Sequence, residues 1–185
     1  LEKLTEARKK GLKAFGSVHA MHLFFTDEEL LGFNTDLKVR APIRNRQMVK
    51  ILREAFLDGK VDIITSGHEP WDQEQKKVEF QFAAFGMSSI EMTYSCLNTA
   101  LGKDASQESL VACLCENPRS LLGIEMPRVE EGALADLSLF DPDLEWELKA
   151  EALVSKGKNS AFTGKQYKGK VLGIISSGKS EISVS

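Results

Sequence analysis

The chain has 185 residues, of which 42% are hydrophobic and 28% are charged, and its formal net charge is −3. This composition predicts an ordinary soluble globular protein. The mild acidity gives no electrostatic footprint for nucleic acid or an anionic membrane surface, and no apolar run approaches the roughly 20 residues of a membrane span. We therefore expect neither kind of partner.

The three cysteines are Cys96, Cys113 and Cys115. The pair formed by Cys113 and Cys115 lacks the second pair that a structural zinc site needs. The pattern predicts reduced and mostly buried thiols, and with them a cytoplasmic protein.

The chain opens on a helical pattern over residues 2–15, which Gly11 or Gly16 would end, and continues into a short strand over residues 17–22. Neither an initiator Met nor an N-cap residue precedes this helix. We expect from this that the chain is a fragment of a longer protein.

A capping box is predicted next, with Thr26 as the N-cap and Glu29 as its partner. The stretch DLKVRAPIR, residues 36–44, predicts an extended segment. Residues 45–60 hold the clearest helical pattern of the chain, closed by Gly59. Its apolar stripe is formed by Met48, Ile51, Leu52, Ala55 and Phe56.

A β-branched strand over residues 61–66 leads into a long polar loop over residues 67–86. Within that loop, QEQKK predicts a solvent-facing charged stretch. Helical patterns then cover residues 87–101, 106–116 and 118–122.

After Gly123 the pattern changes to short segments of period-2 alternation, separated by turn residues. The alternation of strand and helix before that point favours an α/β fold with a parallel sheet or barrel. We expect three short parallel strands within residues 17–66 and a separate antiparallel layer over residues 129–185.

Three segments carry a family resemblance: NPRSLLG at 117–123, EGALADLSLFDPDLEW at 131–146 and SKGKNSAFTGKQYKGKV at 155–171. They follow, in order, HLFFTDEEL, LKVRAPIR, DIITSGHEPWDQEQKK and FAAFGMSSIEM. Together these segments closely resemble the C-terminal half of dihydroorotases of the multifunctional-complex type, which belong to the metal-dependent amidohydrolases.

The resemblance implies an α/β fold with the C-terminal part of a (β/α)₈ TIM-like barrel over residues 1–128 and a small β-sandwich segment over residues 129–185. It also implies zinc-assisted hydrolysis or formation of the cyclic amide of dihydroorotate in pyrimidine biosynthesis. In such a reaction the metals activate a water, and a strand-end carboxylate carries its proton.

The family's strand-six motif falls on residues 20–23, which gives His22 a metal-ligand position. His19 matches no ligand, and on a strand it would point to the face opposite His22. The family's other ligands lie on strands that this chain does not contain. His22 alone cannot hold zinc, so we expect none to be bound by this chain.

The family's last-strand motif, Asp-His-Ala-Pro-His or near it, falls on GHEPW at residues 67–71. His68 matches, whereas Gly67 takes the place of the catalytic, metal-binding Asp and Trp71 takes the place of a substrate-binding His. Arg40 stands where the family has a substrate-contacting Asn. By this resemblance no catalytic residue is intact.

Phe85 and Gly86 match a family loop that closes over substrate. If a helix begins at Met87, its first backbone N–H groups could meet an anion, or the site could be a plain loop-to-helix junction.

Carboxylates near Gly67 are candidates to replace the lost Asp. Glu69, Asp72 and Glu74 are instead expected to form a solvated rim, because a catalytic group must be held within about 0.5 Å of its productive position. Asn159 is expected to be a turn residue without a chemical role.

Two interpretations remain. One is a dihydroorotase-family protein with impaired catalysis, whose ligand would be a dihydroorotate-like small molecule if it were active. The other is a non-catalytic dihydroorotase-like subunit that scaffolds aspartate carbamoyltransferase. A hydantoinase fits SKGKNSAFTGK less well. Open sheet edges also predict a homo-oligomer.

Overall fold

A computed structural model describes residues 2–183, which form an α/β structure. The helices are α1 Glu2–Lys9, α2 Met21–Phe24, α3 Arg46–Leu57, α4 Gln73–Lys76, α5 Thr93–Leu101, α6 Gln107–Val111 and α7 Asn117–Leu122. The strands are β1 Ser17–His19, β2 Ile63–Thr65, β3 Leu137–Glu147, β4 Gln166–Ser176 and β5 Lys179–Ile182. Short 3₁₀ turns cover Asp27–Gly32, Thr35–Leu37, Ile90–Met92, Gly102–Asp104 and Ala150–Ala152, and a π-helical turn, Ala112–Glu116, joins α6 to α7.

Strands β1 and β2 pair in parallel, with His19 opposite Thr65. Within the described residues 17–66 these are the only strands, so the expectation of three parallel strands is wrong. Residues 36–44 do not pair as a strand, because a 3₁₀ turn begins the segment and Pro42 removes a donor from its middle. Its Lys38 carbonyl accepts from the Gly86 N–H of the long loop instead.

The predicted strand over residues 17–22 ends at His19, and the chain turns into α2. The helical turn carries Met21 and Leu23 into the core, where Leu23 is fully buried. His22 therefore lies on a helix and not on a strand. The rings of His19 and His22 are 5.5 Å apart between centroids, so the expectation that they face opposite sides is also wrong.

Helix α1 ends at Lys9, earlier than residue 15, because Gly11 adopts a φ of +76° and closes the last turn. Helix α3 forms as predicted: the Asn45 side chain accepts from the Met48 N–H at its start, and Gly59 follows its end with a φ of +68°. Thr26 precedes the Asp27–Gly32 turn but makes no side-chain capping bond.

The buried face of α3 is rotated from the predicted stripe. Val49, Ala55 and Phe56 are buried, whereas Met48 and Ile51 are 42% and 39% exposed. The helix packs against α2.

Among residues 2–183 the second sheet is antiparallel with the order β3-β4-β5. Its first strand, β3, is long and irregular between Asp141 and Glu145. The connection from β3 to β4 enters the main core: the Phe162 ring lies 4.8 Å from that of Phe25, between centroids. No helix of the described part of the chain has the length and apolarity to cross a membrane.

Candidate functional site

A cavity of about 300 Å³ lies where β1 and β2 end. In α/β proteins the carboxyl ends of parallel strands are the usual place for a site. The cavity is lined by His19, Met21, Val39, Arg40, Ala41, Gly67, His68, Glu69 and Gly86. The structure thus brings together four of the predicted positions, whereas His22, Trp71 and Phe85 lie outside this lining.

A side chain at Gly67 would require its neighbours to move. The φ of Gly67 is +63°, in the left-handed region that L side chains rarely adopt, and a Cβ built on it would lie 2.8 Å from Met21 Cε and 3.0 Å from His19 Cγ. Met21 Cε is the end of a flexible side chain and can shift, whereas the His19 ring would also have to give way. A side chain at residue 67 would therefore be strained and crowded.

The His22 imidazole is committed to a backbone group. Its Nε2 lies 2.8 Å from the Ala41 carbonyl oxygen, which can only accept, so Nε2 carries the proton. Burial lowers the pKa of His22. A neutral ring that donates through Nε2 has its lone pair on Nδ1, which is then the one nitrogen of His22 that could ligate a metal.

The other potential metal ligands among the described residues do not form a metal site with His22. His19 Nδ1 lies 2.6 Å from the Thr65 hydroxyl. Across residues 2–183 no three His, Cys, Asp or Glu side chains are grouped as metal ligands would be. The side chains described here therefore do not fit the zinc that the family resemblance implies.

His68 stabilises the start of a helical turn. Its Nδ1 accepts from the backbone N–H groups of Ser89 and Ile90, at 3.1 and 3.2 Å. The expected helix from Met87 is wrong: Met87 is extended and bridges to His68, and the helical turn begins at Ile90. The N–H groups at this helix start thus meet an imidazole of the same chain.

The backbone of Gly86 makes hydrogen bonds with the Lys38 backbone and the Lys76 side chain. Its N–H donates to the Lys38 carbonyl, and its own carbonyl accepts from Lys76 Nζ at 2.8 Å. Lys76 also donates to the Ala84 carbonyl and is only 3% exposed. The expectation that all of QEQKK faces solvent is wrong at Lys76, because the loop folds over this side chain and burial lowers its pKa.

Trp71 is fixed through both of its N–H groups. The indole Nε1 donates to the Phe85 carbonyl at 2.7 Å, and the backbone N–H donates to Asn159 Oδ1 at 2.8 Å. The Asn159 side chain also donates to the Gly86 carbonyl, at 3.3 Å, and is buried. Asn159 therefore joins the Trp71 backbone to Gly86, which lines the cavity, a role that its turn-like sequence context did not reveal.

One sequence signal could have indicated this contact. Gly157 lies two residues before Asn159, and a Cβ there would lie 2.7 Å from Pro70 Cβ and 3.0 Å from the Trp71 carbonyl. A glycine allows two backbone segments to approach closely because it has no Cβ.

Glu69 forms an ion pair with Arg40. Its Oε1 accepts from Arg40 Nη2 at 2.9 Å and from Arg40 Nε at 3.2 Å. Glu69 is therefore part of the cavity mouth and is not a free rim residue, whereas Asp72 and Glu74 are exposed as expected.

Comparisons with known proteins find relatives along nearly the whole chain, although no family model matches it. It is 36% identical over 174 residues to a dihydroorotase of Thermoanaerobacter sp. (strain X514), covering 92% of this chain and 40% of that protein. It is 36% identical over 177 residues to a dihydroorotase of Caldicellulosiruptor saccharolyticus, covering 94% and 41%. The chain thus spans about two fifths of the length of these curated relatives.

Solved structures share its fold. An L-hydantoinase (dihydropyrimidinase) from Arthrobacter aurescens superposes with a TM-score of 0.86 at 25% identity, covering 98% of this chain and 42% of that one. A D-hydantoinase gives 0.82 at 22% identity, again covering 98% and 42%. The inactive dihydroorotase-like domain of a Chaetomium thermophilum CAD-like multifunctional protein gives 0.70 at 18% identity, covering 97% and 47%.

We predict that Gly67→Ala destabilises the protein by about 1–3 kcal/mol more than Gly59→Ala. Both glycines have positive φ, so an alanine at either position is strained by the left-handed backbone conformation. Only at Gly67 does the added Cβ also crowd its neighbours, because a Cβ at Gly59 meets nothing within 4 Å. Urea unfolding of the two variants measures the difference. Equal losses would show that the contact with Met21 and His19 relaxes freely.

We predict that Asn159→Ala lowers the free energy of unfolding by about 1–3 kcal/mol, because it leaves the Trp71 N–H without its partner. The matched control is Thr163→Val in the same segment, since the buried Thr163 hydroxyl has no hydrogen-bond partner within residues 2–183. This control should be neutral or stabilising in the same urea titration. A smaller loss for Asn159→Ala than for the control would contradict the bridging role.

Proposed function

We propose that this homologue of the dihydroorotases, which matches them over about nine tenths of its length, is part of a dihydroorotase-like protein of pyrimidine biosynthesis that has lost the catalytic chemistry. The fold shared with hydantoinases and the parallel β1–β2 pair support a portion of a (β/α)₈ barrel over residues 1–128. The antiparallel sheet supports a small β-sandwich segment over residues 129–185.

The observation that carries this proposal is the packing around Gly67. Hydrolysis of a cyclic amide by a metal-activated water requires a group that takes the proton of that water, and such groups contribute about 10²–10⁴-fold in rate. Residue 67 carries no carboxylate, and a side chain there would adopt a strained positive φ and crowd Met21 and His19. Glu69, the carboxylate two residues later, is engaged by Arg40.

The described residues also lack the ligands that zinc would need. Zinc would supply the activation of water and the polarisation of the amide. His22 directs a protonated nitrogen to the Ala41 carbonyl, and residue 67 has no carboxylate to offer. Within residues 2–183 no three potential ligand side chains are grouped, and His22 alone cannot hold zinc, so we infer that this chain by itself binds none.

We expect no hydrolysis of dihydroorotate above background by the purified protein, with or without added zinc, and no stoichiometric metal by elemental analysis. Gly67→Asp alone should not restore activity, because the new side chain meets Met21 and His19 while Trp71 and Arg40 remain. One of the curated dihydroorotases, assayed in parallel, is the positive control. Stoichiometric metal with turnover well above a metal-stripped sample would overturn the proposal.

A second candidate role is that of a scaffold for aspartate carbamoyltransferase. The superposition on an inactive dihydroorotase-like domain of a multifunctional protein favours it. Within the described residues β1 and β2 pair only with each other, which leaves two outer edges open. Leu31, Phe33 and Phe82 are also 81%, 73% and 71% exposed. These surfaces support a homo-oligomer or a complex.

We predict that the chain alone sediments as a dimer or larger species in analytical ultracentrifugation, because edges and apolar surface of this kind favour association. Added aspartate carbamoyltransferase of the same organism should co-sediment with it. A monodisperse monomer with a sharp cooperative melt would contradict the oligomer, and unchanged sedimentation of the transcarbamoylase would contradict the scaffold.

A further inference from the structure

An apolar patch lies on the surface where two loop segments meet. The first 3₁₀ turn carries Leu31 and is followed directly by Phe33, whereas the loop after α4 carries Val78 and Phe82. All four side chains are exposed. The Phe33 ring lies 6.2 Å from the ring of Phe80, between centroids, and this contact joins the two segments. Leu31, Phe33, Val78 and Phe82 are called the loop patch below.

Hydrogen bonds hold the two segments of the loop patch together. The Thr35 hydroxyl donates to the Lys76 carbonyl at 2.7 Å. Lys38 Nζ donates to the carbonyls of Phe80 and Gln81, each at 2.8 Å. The patch is therefore preorganised, which lowers the conformational entropy that a partner would have to fix on binding.

Phe33 adopts a backbone conformation that a bulky residue rarely takes. Its φ is +52° and its ψ is +34°, and its N–H donates to the Leu30 carbonyl at 2.8 Å. Glycine would adopt this conformation without strain. The Phe33 ring is largely exposed and gains little from the core, and strained residues cluster at functional sites. The strain therefore points to a role for the ring at the surface.

The size of the loop patch suits one half of a protein–protein interface. At their observed exposures the four side chains present roughly 450 Å² of apolar surface. A standard interface covers about 800 Å² on each partner, of which roughly 450–500 Å² is apolar. The patch thus matches the apolar part of such an interface, and a second copy of this chain would bring an identical patch.

The charges beside the loop patch favour a second copy over a strongly acidic or basic partner. Lys77 and Glu79 flank Val78, and both are exposed. Neither side chain forms an ion pair with another residue of the range 2–183. A partner of one charge sign would repel one of the two. A copy related by a two-fold axis through Val78 instead brings Lys77 to Glu79 of the partner subunit, twice per dimer.

We propose that the loop patch is the two-fold interface of a homodimer, in which Phe33 of each copy packs on the patch of the other and Lys77 pairs with Glu79 of the partner subunit. This inference rests on the homo-oligomer of the proposed function and names its surface. It is independent of whether the protein catalyses a reaction.

The first test measures the dimer Kd of the purified protein and of Phe33→Gly by sedimentation equilibrium. Phe33→Gly should raise the Kd about tenfold or more, because it removes a central aromatic contact from both halves of the interface. Its urea midpoint, measured at a concentration where the protein is monomeric, should equal or exceed that of the wild type, because glycine suits the positive φ. Leu122→Ala is the control, since it shortens another largely exposed apolar side chain, on α7, and should leave the Kd unchanged.

The second test reverses the charges. Lys77→Glu or Glu79→Lys alone should raise the Kd by about two- to thirtyfold, because like charges then face each other twice in each dimer. The double variant should recover a Kd within about twofold of the wild type. A loss of folding alone would not be repaired by the second reversal.

A wild-type protein that stays monomeric would overturn both this proposal and the homo-oligomer. A dimer whose Kd is unchanged by Phe33→Gly, or unchanged by either single reversal, would overturn the loop patch as the interface and leave the homo-oligomer standing. Failure of the double variant to recover the Kd would overturn the two-fold pairing of Lys77 with Glu79.

Discussion

The backbone of Gly67 passes close to Met21 and His19, so that a side chain at this position would crowd both residues. This contact depends on the parallel pairing of β1 with β2, which sets His19 opposite Thr65 and ends both strands at one edge. It depends equally on the turn of the chain into α2, which carries Met21 under the loop. The pairing that forms the cavity therefore also favours a glycine at residue 67.

A segment distant in sequence, the connection between β3 and β4, stabilises the walls of that cavity. The connection between β3 and β4 places Phe162 against Phe25 in the core and brings Asn159 to Trp71 and Gly86. Buried polar groups need partners, and in this connection the partners are backbone groups of the site loop. The antiparallel sheet is thereby tied to the parallel one through the site.

Residues of the site that match the dihydroorotase pattern make structural contacts. His68 accepts from the backbone at the start of a helical turn, and Gly86 packs directly against Glu69. Under the proposed function, the positions that depart from the pattern, Gly67 and Arg40, are those where chemistry and substrate contact would be required. Retaining the first set keeps the fold, and changing the second set removes the reaction.

The sequence by itself determined those features that depend on interactions between residues close together in the chain. The helical pattern that forms α3, its end at Gly59 and the change to antiparallel strands after Gly123 follow from side-chain period and chain reversal, which act over a few residues. The family resemblance likewise located the strand-end loop and its missing carboxylate.

Tertiary structure alone decided the helical position of His22, the burial of Lys76 and the bridge made by Asn159. Lys76 is buried because the carbonyls of Ala84 and Gly86 fold over it. Each of these outcomes requires a hydrogen-bond partner or a packing surface that the chain brings in from another segment. A periodic pattern records which face of an element is apolar, but it does not record which distant backbone group will meet a polar side chain.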